Sequence, residues 1–321
     1  MKTNITIVSE FILLGLSTHP ELESVIFIIF FLTYTVALIG NVMILYLSIT
    51  DPGLNTPMYF FLGLLSLLDI WCTSATIPKM LSSYITQSKV ISFYGCAAQM
   101  FFFSWPLVVE LLLLTVMAYD RYVAIGHPLR YASIINHLVC FKTAITIIII
   151  GLNNSFIQTS CTFQLPYCDN NKINHFFCEV MPLLKLACAD IYINEIVVYT
   201  SDFLFAVCTF FLICVSYMFI LNTILKIRSA KGKRKAFSTC ASHVIIVSLY
   251  FGAVIATYIQ PKQSSSLEIN KIVSALYAVI TPSLNPIIYS LRNNEVKEAF
   301  KRAIKRNHFC FLPHPKILLV A

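Results

Sequence analysis

Seven runs of roughly 20 apolar residues, the length that carries an α-helix across a bilayer core, account for most of this chain. They are Val25 to Ile49, Met58 to Ile77, Ala97 to Ala118, Thr143 to Phe163, Ile196 to Leu225, Ser238 to Ile259 and Ile272 to Leu291. The fourth and sixth are the least clean, because Asn153, Asn154 and Gln158 interrupt one and Ser and His residues open the other. Only 12% of the 321 residues are charged, against about a quarter in a soluble chain, so lipid must solvate much of the surface. Connections are short, with no linker, low-complexity tract or internal repeat. The expected fold is an all-α membrane protein: a seven-transmembrane helix bundle over 25–292, an extracellular segment 1–24, and a cytoplasmic amphipathic eighth helix with a tail over 293–321.

Orientation follows from lysine and arginine, which favour cytoplasmic loops. Sixteen of the 23 basic residues fall on one face: Arg121, Arg130 and Lys142, the segment "KIRSAKGKRK", and the tail after the seventh run. Acids such as Glu10, Glu21, Glu23, Asp169, Glu179 and Glu195 favour the other. The first inner loop, "TDPGLNTP", departs from the rule in having no basic residue. The net charge of +8 is thus a topology signal and speaks against nucleic acid as a partner. "FILLGL" is too short for a cleavable signal peptide and follows Glu10 instead of a basic stretch, so the first span is expected to serve as the insertion signal. Asn4-Ile5-Thr6 is an expected glycosylation acceptor on the exposed terminus; Asn153-Asn154-Ser155 lies within a span and is rejected. Beyond the seventh run, Val296, Ala299, Phe300, Ala303 and Ile304 recur at helical spacing with Lys297, Lys301, Arg302, Lys305 and Arg306 around them. That pattern predicts a basic helix lying on the inner leaflet, with membrane lipid as its partner.

Of 11 cysteines, those inside spans are small packing residues. Cys96, Cys168, Cys178 and Cys188 fall on the outer, oxidising side, where disulfides are expected. Four cysteines permit three pairings and the sequence does not choose among them. Within the spans stand three acids, each costly in hydrocarbon. Asp69 and Glu110, with Asn285, form an internal polar site whose oxygens suit a small hard cation; a protonated or hydrogen-bonded state is the plainer alternative. Asp202 lies about two turns inside the outer end of the fifth span. In "TPSLNPIIY", Pro286 removes a backbone donor and kinks the helix, so Asn285, Pro286 and Tyr289 form a candidate hinge. Proton relays, voltage-sensing arginine repeats and the paired halves of a transporter have no counterpart here. Neither an enzyme constellation, a metal-ligand set nor a cofactor is implied.

"MAYDRYVAI" with "HPLRY", "PMYFF" at Pro57 to Phe61, "KAFSTCASH" at Lys235 to His243 and "PSLNPIIYSLRN" at Pro282 to Asn293 occur in that order. Together they closely resemble the olfactory receptors, a branch of the rhodopsin-like G-protein-coupled receptors, over about Glu10 to Phe300. The resemblance implies that Asp120, Arg121 and Tyr122 form the switch facing the G protein, with Arg121 restrained by Asp120 at rest. It implies bridges Cys96–Cys178 and Cys168–Cys188, Cys96–Cys188 being the alternative. It also implies an odorant cavity walled by Phe103, Ser104, Leu107, Val108, Asp202, Phe205, Phe251, Ile255 and Tyr258. The function implied is binding of small, mostly apolar volatile odorants and activation of a heterotrimeric stimulatory G protein that raises cyclic AMP. The location implied is the plasma membrane, in the cilia of olfactory sensory neurons.

Three positions depart from the family pattern. Tyr250-Phe251-Gly252 replaces the usual Phe-Tyr-Gly, removing a hydroxyl from the switch position of the sixth helix. Gly126 stands where a cysteine is common, and Pro106 interrupts the third helix. A rhodopsin-like receptor for a non-olfactory metabolite is the alternative function.

Overall fold

The computed structural model describes residues 8–17, 20–168, 171–258 and 266–311. Its principal helices are α1 (Pro20–Thr50), α2 (Pro57–Thr86), α3 (Phe93–Gly126), α4 (His137–Phe163), α5 (Tyr192–Lys226) and α6 (Ala230–Tyr258). The seventh, α7, runs as Ser266–Ala275, a π-helical segment Leu276–Ile280, and Thr281–Arg292; α8 is Asn294–Phe311. Seven helices are long and apolar enough to cross a membrane, and they form the seven-helix bundle. Asn4 and the side chain of Tyr258 lie outside the described residues.

The helices outrun the apolar runs that announce them. The sixth begins at Ala230, so Lys231, Lys233, Arg234 and Lys235 ride on its first turns and the connection from α5 shrinks to 227–229. Lysine, arginine and alanine are good helix formers, and charged turns are tolerated where a helix projects past the hydrocarbon. Likewise α5 begins at Tyr192; ten residues at 1.5 Å each put Asp202 nearly three turns inside it instead of two.

Burial sorts the helices into a centre and a rim. Buried residues make up 61% of the most apolar stretches of α2 and α7 but only 17% of those of α1 and α5. The exposed side chains on the rim are Ile39, Ile49, Phe203, Phe211 and their like, a surface that hydrocarbon solvates and water does not. Inside, α1 and α7 touch where Asn41 Nδ2 donates to Pro282 O at 3.0 Å. One residue earlier, a Cβ on Gly40 would stand 2.7 Å from the Pro286 ring, so glycine lets the kinked helix approach α1. Gly151 does the same between α4 and α3: a Cβ there would meet Val109 Cγ2 at 2.5 Å and the Trp105 carbonyl at 3.1 Å. Gly151→Leu is therefore expected to force the helices apart at a cost of about 1–3 kcal/mol or more. Surface staining and the Tm of the purified protein should both fall; values equal to wild type would show that the contact yields freely.

One end of the bundle carries a small sheet that the apolar pattern did not announce. Strands β1 (Glu10–Leu13), β2 (Val90–Ser92) and β3 (Lys172–Ile173) lie in the order β2-β1-β3. β1 runs antiparallel to β2, with Phe11 opposite Ile91, and parallel to β3, with Ile12 opposite Lys172. Phe11 and Leu13 are buried with Ile91, Tyr167 and Ile173, so "FILLGL" supplies a central strand. At the opposite end, α8 buries Val296 and Ala299. Arg302 grips Asp51 through Nε and Nη2 at 2.9 and 2.8 Å, which gives the acid of "TDPGLNTP" its cation from the far end of the chain. Tyr59 donates to Glu295 Oε2 at 2.7 Å and receives Asn293 Nδ2 at 2.9 Å.

Candidate functional site

At the α8 end, Asp120 and Arg121 are both buried near the end of α3. Asp120 Oδ1 accepts from the Tyr131 hydroxyl at 2.7 Å. Among the described residues no carboxylate lies within ion-pair distance of Arg121. Asp120 is thus hydrogen-bonded by a tyrosine, whose own hydroxyl is held protonated by burial and by the neighbouring acid, and it lies within electrostatic reach of Arg121 without a direct ion pair. Arg121 also lies within electrostatic reach of Tyr59, Tyr217, Cys240, His243 and Tyr289. Tyr122, partly buried, packs its ring against Phe219 of α5 and His127.

His243, in "KAFSTCASH", went unread in the sequence. Its Nε2 lies 3.1 Å from the Leu114 carbonyl and its Nδ1 lies 2.8 Å from the Tyr217 hydroxyl. A carbonyl only accepts, so Nε2 carries the proton of the neutral ring and Nδ1 accepts from Tyr217. One side chain thus ties α3, α5 and α6 together beside Arg121. The motif holds the signal for it, a histidine among small residues, but its partners are more than 20 and more than 120 residues away.

Midway along the bundle, Asn285 Nδ2 donates to both oxygens of Asp69 at 3.0 and 2.9 Å. Glu110 is buried within electrostatic reach of Asp69. Glu110 Oε1, Asn285 Oδ1 and the hydroxyl of Tyr289, one turn past Pro286, are buried without hydrogen-bond partners.

Toward the sheet-bearing end, the expected cavity walls fall into two groups. Leu107, Phe205 and Phe251 join the main core, Phe251 packing on Phe210 at 5.1 Å between centroids. Phe103 belongs with Phe177 and Tyr277, at 4.5 and 6.2 Å, and Leu107 touches both groups. Val108 is buried and Ser104 half-buried. Ile255 is 47% exposed and is not brought into either group. Asp202 is exposed, within electrostatic reach of Glu179 and beside Gln158, while its neighbour Ser201 donates to Asn154 at 2.5 Å. The hydroxyl missing at Phe251 is supplied one residue earlier: Tyr250 donates to the Leu107 carbonyl at 3.1 Å.

Above these walls, Cys96 is bonded to Cys178 and Cys168 to Cys188. Gln99 backs the first bridge, accepting from the Cys178 amide at 3.0 Å and donating to the Ala75 carbonyl at 3.0 Å. His175 stacks on Phe176, and burial pushes its imidazole below the usual histidine range against the pull of Glu179.

Fold and site together define a seven-helix membrane protein with a buried polar cluster around Arg121 at one end and a doubly disulfide-bridged loop packed on apolar side chains at the other. A family model described as "Olfactory receptor" matches residues 30–307. Olfactory receptor 13G1 of Homo sapiens is 46% identical over 311 residues, covering 97% of this chain and 100% of that one. Olfactory receptor 5G3 of Homo sapiens is 47% identical over 306 residues, 95% of this chain and 98% of that one. Olfactory receptor-like protein OLF1 of Canis lupus familiaris is 46% identical over 305 residues, again 95% and 98%. The chain belongs to the olfactory receptor family, a family of G-protein-coupled receptors and not of enzymes.

Proposed function

We propose that this receptor binds small, mostly apolar odorants between α3, α5, α6 and α7 and activates a stimulatory G protein that raises cyclic AMP. The observation that carries the reading is Arg121, buried at the end of α3 without a direct ion pair among the described residues and within electrostatic reach of Tyr217, His243 and Tyr289 on three other helices. A cation at a helix C-terminus is favoured by the helix dipole, and one without a fixed counter-charge is poised to take a partner at that end. The agonist acts by binding the conformation that admits the G protein better than the one that does not. Pro286 and Tyr289 form the hinge, and beside it Asp69, Glu110 and Asn285 form an internal polar site whose oxygens suit a small hard cation. In this reading the sheet-bearing end is extracellular, Asn4 is glycosylated, α8 lies on the inner leaflet with Phe300 and Ile304 in lipid, and the receptor resides in the plasma membrane of olfactory cilia. The working parts divide as 1–24, 25–292 and 293–321. Cyclic AMP measured in cells expressing the receptor against an odorant panel tests the reading; a panel that moves only other second messengers would replace the stimulatory G protein with another.

Asp202 sets ligand charge preference in this scheme, because it stands in the outer half of α5 within electrostatic reach of Glu179 and with no basic residue near it in its own helix. Asp202→Asn keeps the shape and removes the charge. It is expected to weaken amine agonists about tenfold, the scale of one hydrogen bond to a charged group, while leaving neutral odorants within about twofold. An unchanged rank order across the panel would make Asp202 a packing residue.

A further inference from the structure

The 164–191 loop and α7 share an apolar cluster through Phe176, Phe177, Ala275 and Ala278, and beside it they share one carboxylate. Glu179, next to the bridged Cys178, accepts from Ser274 Oγ at 3.2 Å and from the Tyr277 hydroxyl, and His175 Nε2 lies 3.1 Å from its Oε2. His175, Ser274 and Lys271 around it are buried, yet the Glu179 side chain is 25% exposed. Tyr277 is itself part of the π-helical segment Leu276–Ile280, and its ring faces Phe103 on the apolar wall. Below it, the Thr281 N–H and Oγ1 both donate to the Leu276 carbonyl, five residues back. The carboxylate, the unwound segment and the apolar wall are thus joined through one phenol.

We infer that Glu179 is a specificity-determining and positioning residue: it pins the π segment of α7 through Tyr277, and a ligand bearing a hydroxyl or amine acts by taking the place of Tyr277 on the carboxylate. This rests on the proposed odorant site for where the ligand lies. An ionised carboxylate accepts hydrogen bonds and donates none, so alcohols and amines can replace a phenol on it, whereas ethers cannot. The exchange trades one charge-assisted bond for another, leaving the apolar remainder of the ligand to decide affinity. Released, Tyr277 no longer holds five residues in a form that is rare in proteins and clusters at functional sites. Rewinding that segment turns the upper part of α7 against the Asn285–Pro286 hinge, which the ligand-free carboxylate opposes.

Two measurements test this. Hydrogen exchange of purified wild type, Tyr277→Phe and Glu179→Gln, without ligand, is expected to show the amides of 276–281 exchanging severalfold faster in both variants. Equal exchange in all three would overturn the pinning. In cells matched for surface receptor, 1-octanol, octylamine and octyl methyl ether are then compared by cyclic AMP. Tyr277→Phe, which removes the internal competitor and releases the pin, should raise basal cyclic AMP and raise the potency of the alcohol and amine about tenfold more than that of the ether. Glu179→Gln should abolish the advantage of the two donors over the ether. An equal shift of all three probes, the mark of a merely loosened fold, overturns the specificity role, as does no shift at all. A wild type silent to every probe, with exchange altered as expected, supports the pinning and counts against the odorant reading itself.

Discussion

Replacing Arg121 with alanine is expected to reduce the agonist-driven cyclic AMP response to background while the receptor still reaches the cell surface. The second half follows from the geometry. Breaking a buried ion pair costs about 3–5 kcal/mol because an uncompensated charge is left behind, but Asp120 makes its hydrogen bond to Tyr131, with Arg121 near it and not directly paired. Removing the guanidinium therefore leaves the acid its hydrogen-bond partner. Its neighbours on the other helices are Tyr217, His243 and Tyr289, and the first two keep each other as hydrogen-bond partners without it. Arg121→Lys should restore the charge but only part of the response, since an ammonium lacks the planar fork. Cyclic AMP at matched surface staining is the measurement, and an undiminished response from the alanine variant would remove Arg121 from the switch.

Loss of the Cys96–Cys178 bridge is expected to remove most folded receptor from the surface. Both cysteines are fully buried, between the top of α3 and the loop that carries β3 and Glu179. Removing a bridge costs about 2–5 kcal/mol in small domains, which is a large share of a stability of about 5–15 kcal/mol. Cys96→Ser should lower surface staining about tenfold or more. Cys178→Ser should match it, and the double variant should be no worse, because the two residues act as one unit. Normal staining of either single variant, with normal odorant potency, would mean the loop is seated by Gln99 and the sheet alone.

Much of this architecture is legible in the sequence because lipid imposes a length on every crossing helix. The seven runs name the seven helices, and error collects at their ends, where charged turns such as Lys231 to Lys235 carry no hydrophobic signal. The sheet escaped because β1 is four residues long and its partners lie about 80 and about 160 positions away. Among site residues, sequence reasoning found Asp69 by its cost in hydrocarbon and Asn285 by its place beside Pro286, and the structure brings them into contact. It passed over His175, Glu179 and Tyr277, since a histidine and an acid in a loop read as solvated and a tyrosine in a span reads as packing. Only the fold reveals that the three converge. The Tyr250–Phe251 inversion looked like a lost hydroxyl; in three dimensions it is a hydroxyl moved to Leu107.

The sheet also sets a timetable for biosynthesis. β1 lies ahead of the first crossing helix, while β3 follows the fourth, so the strand that leaves the ribosome first waits through two insertion events for its first partner and through four for its second. Its antiparallel partner β2 arrives after two of them and completes half of the ladder. The parallel half closes only when Lys172 and Ile173 emerge. Pairing across so long a separation is slow and leaves an apolar edge open in the meantime. Substitutions at Phe11 or Leu13 should thus act on the nascent chain, holding receptor in the endoplasmic reticulum without altering the odorant potency of the molecules that escape.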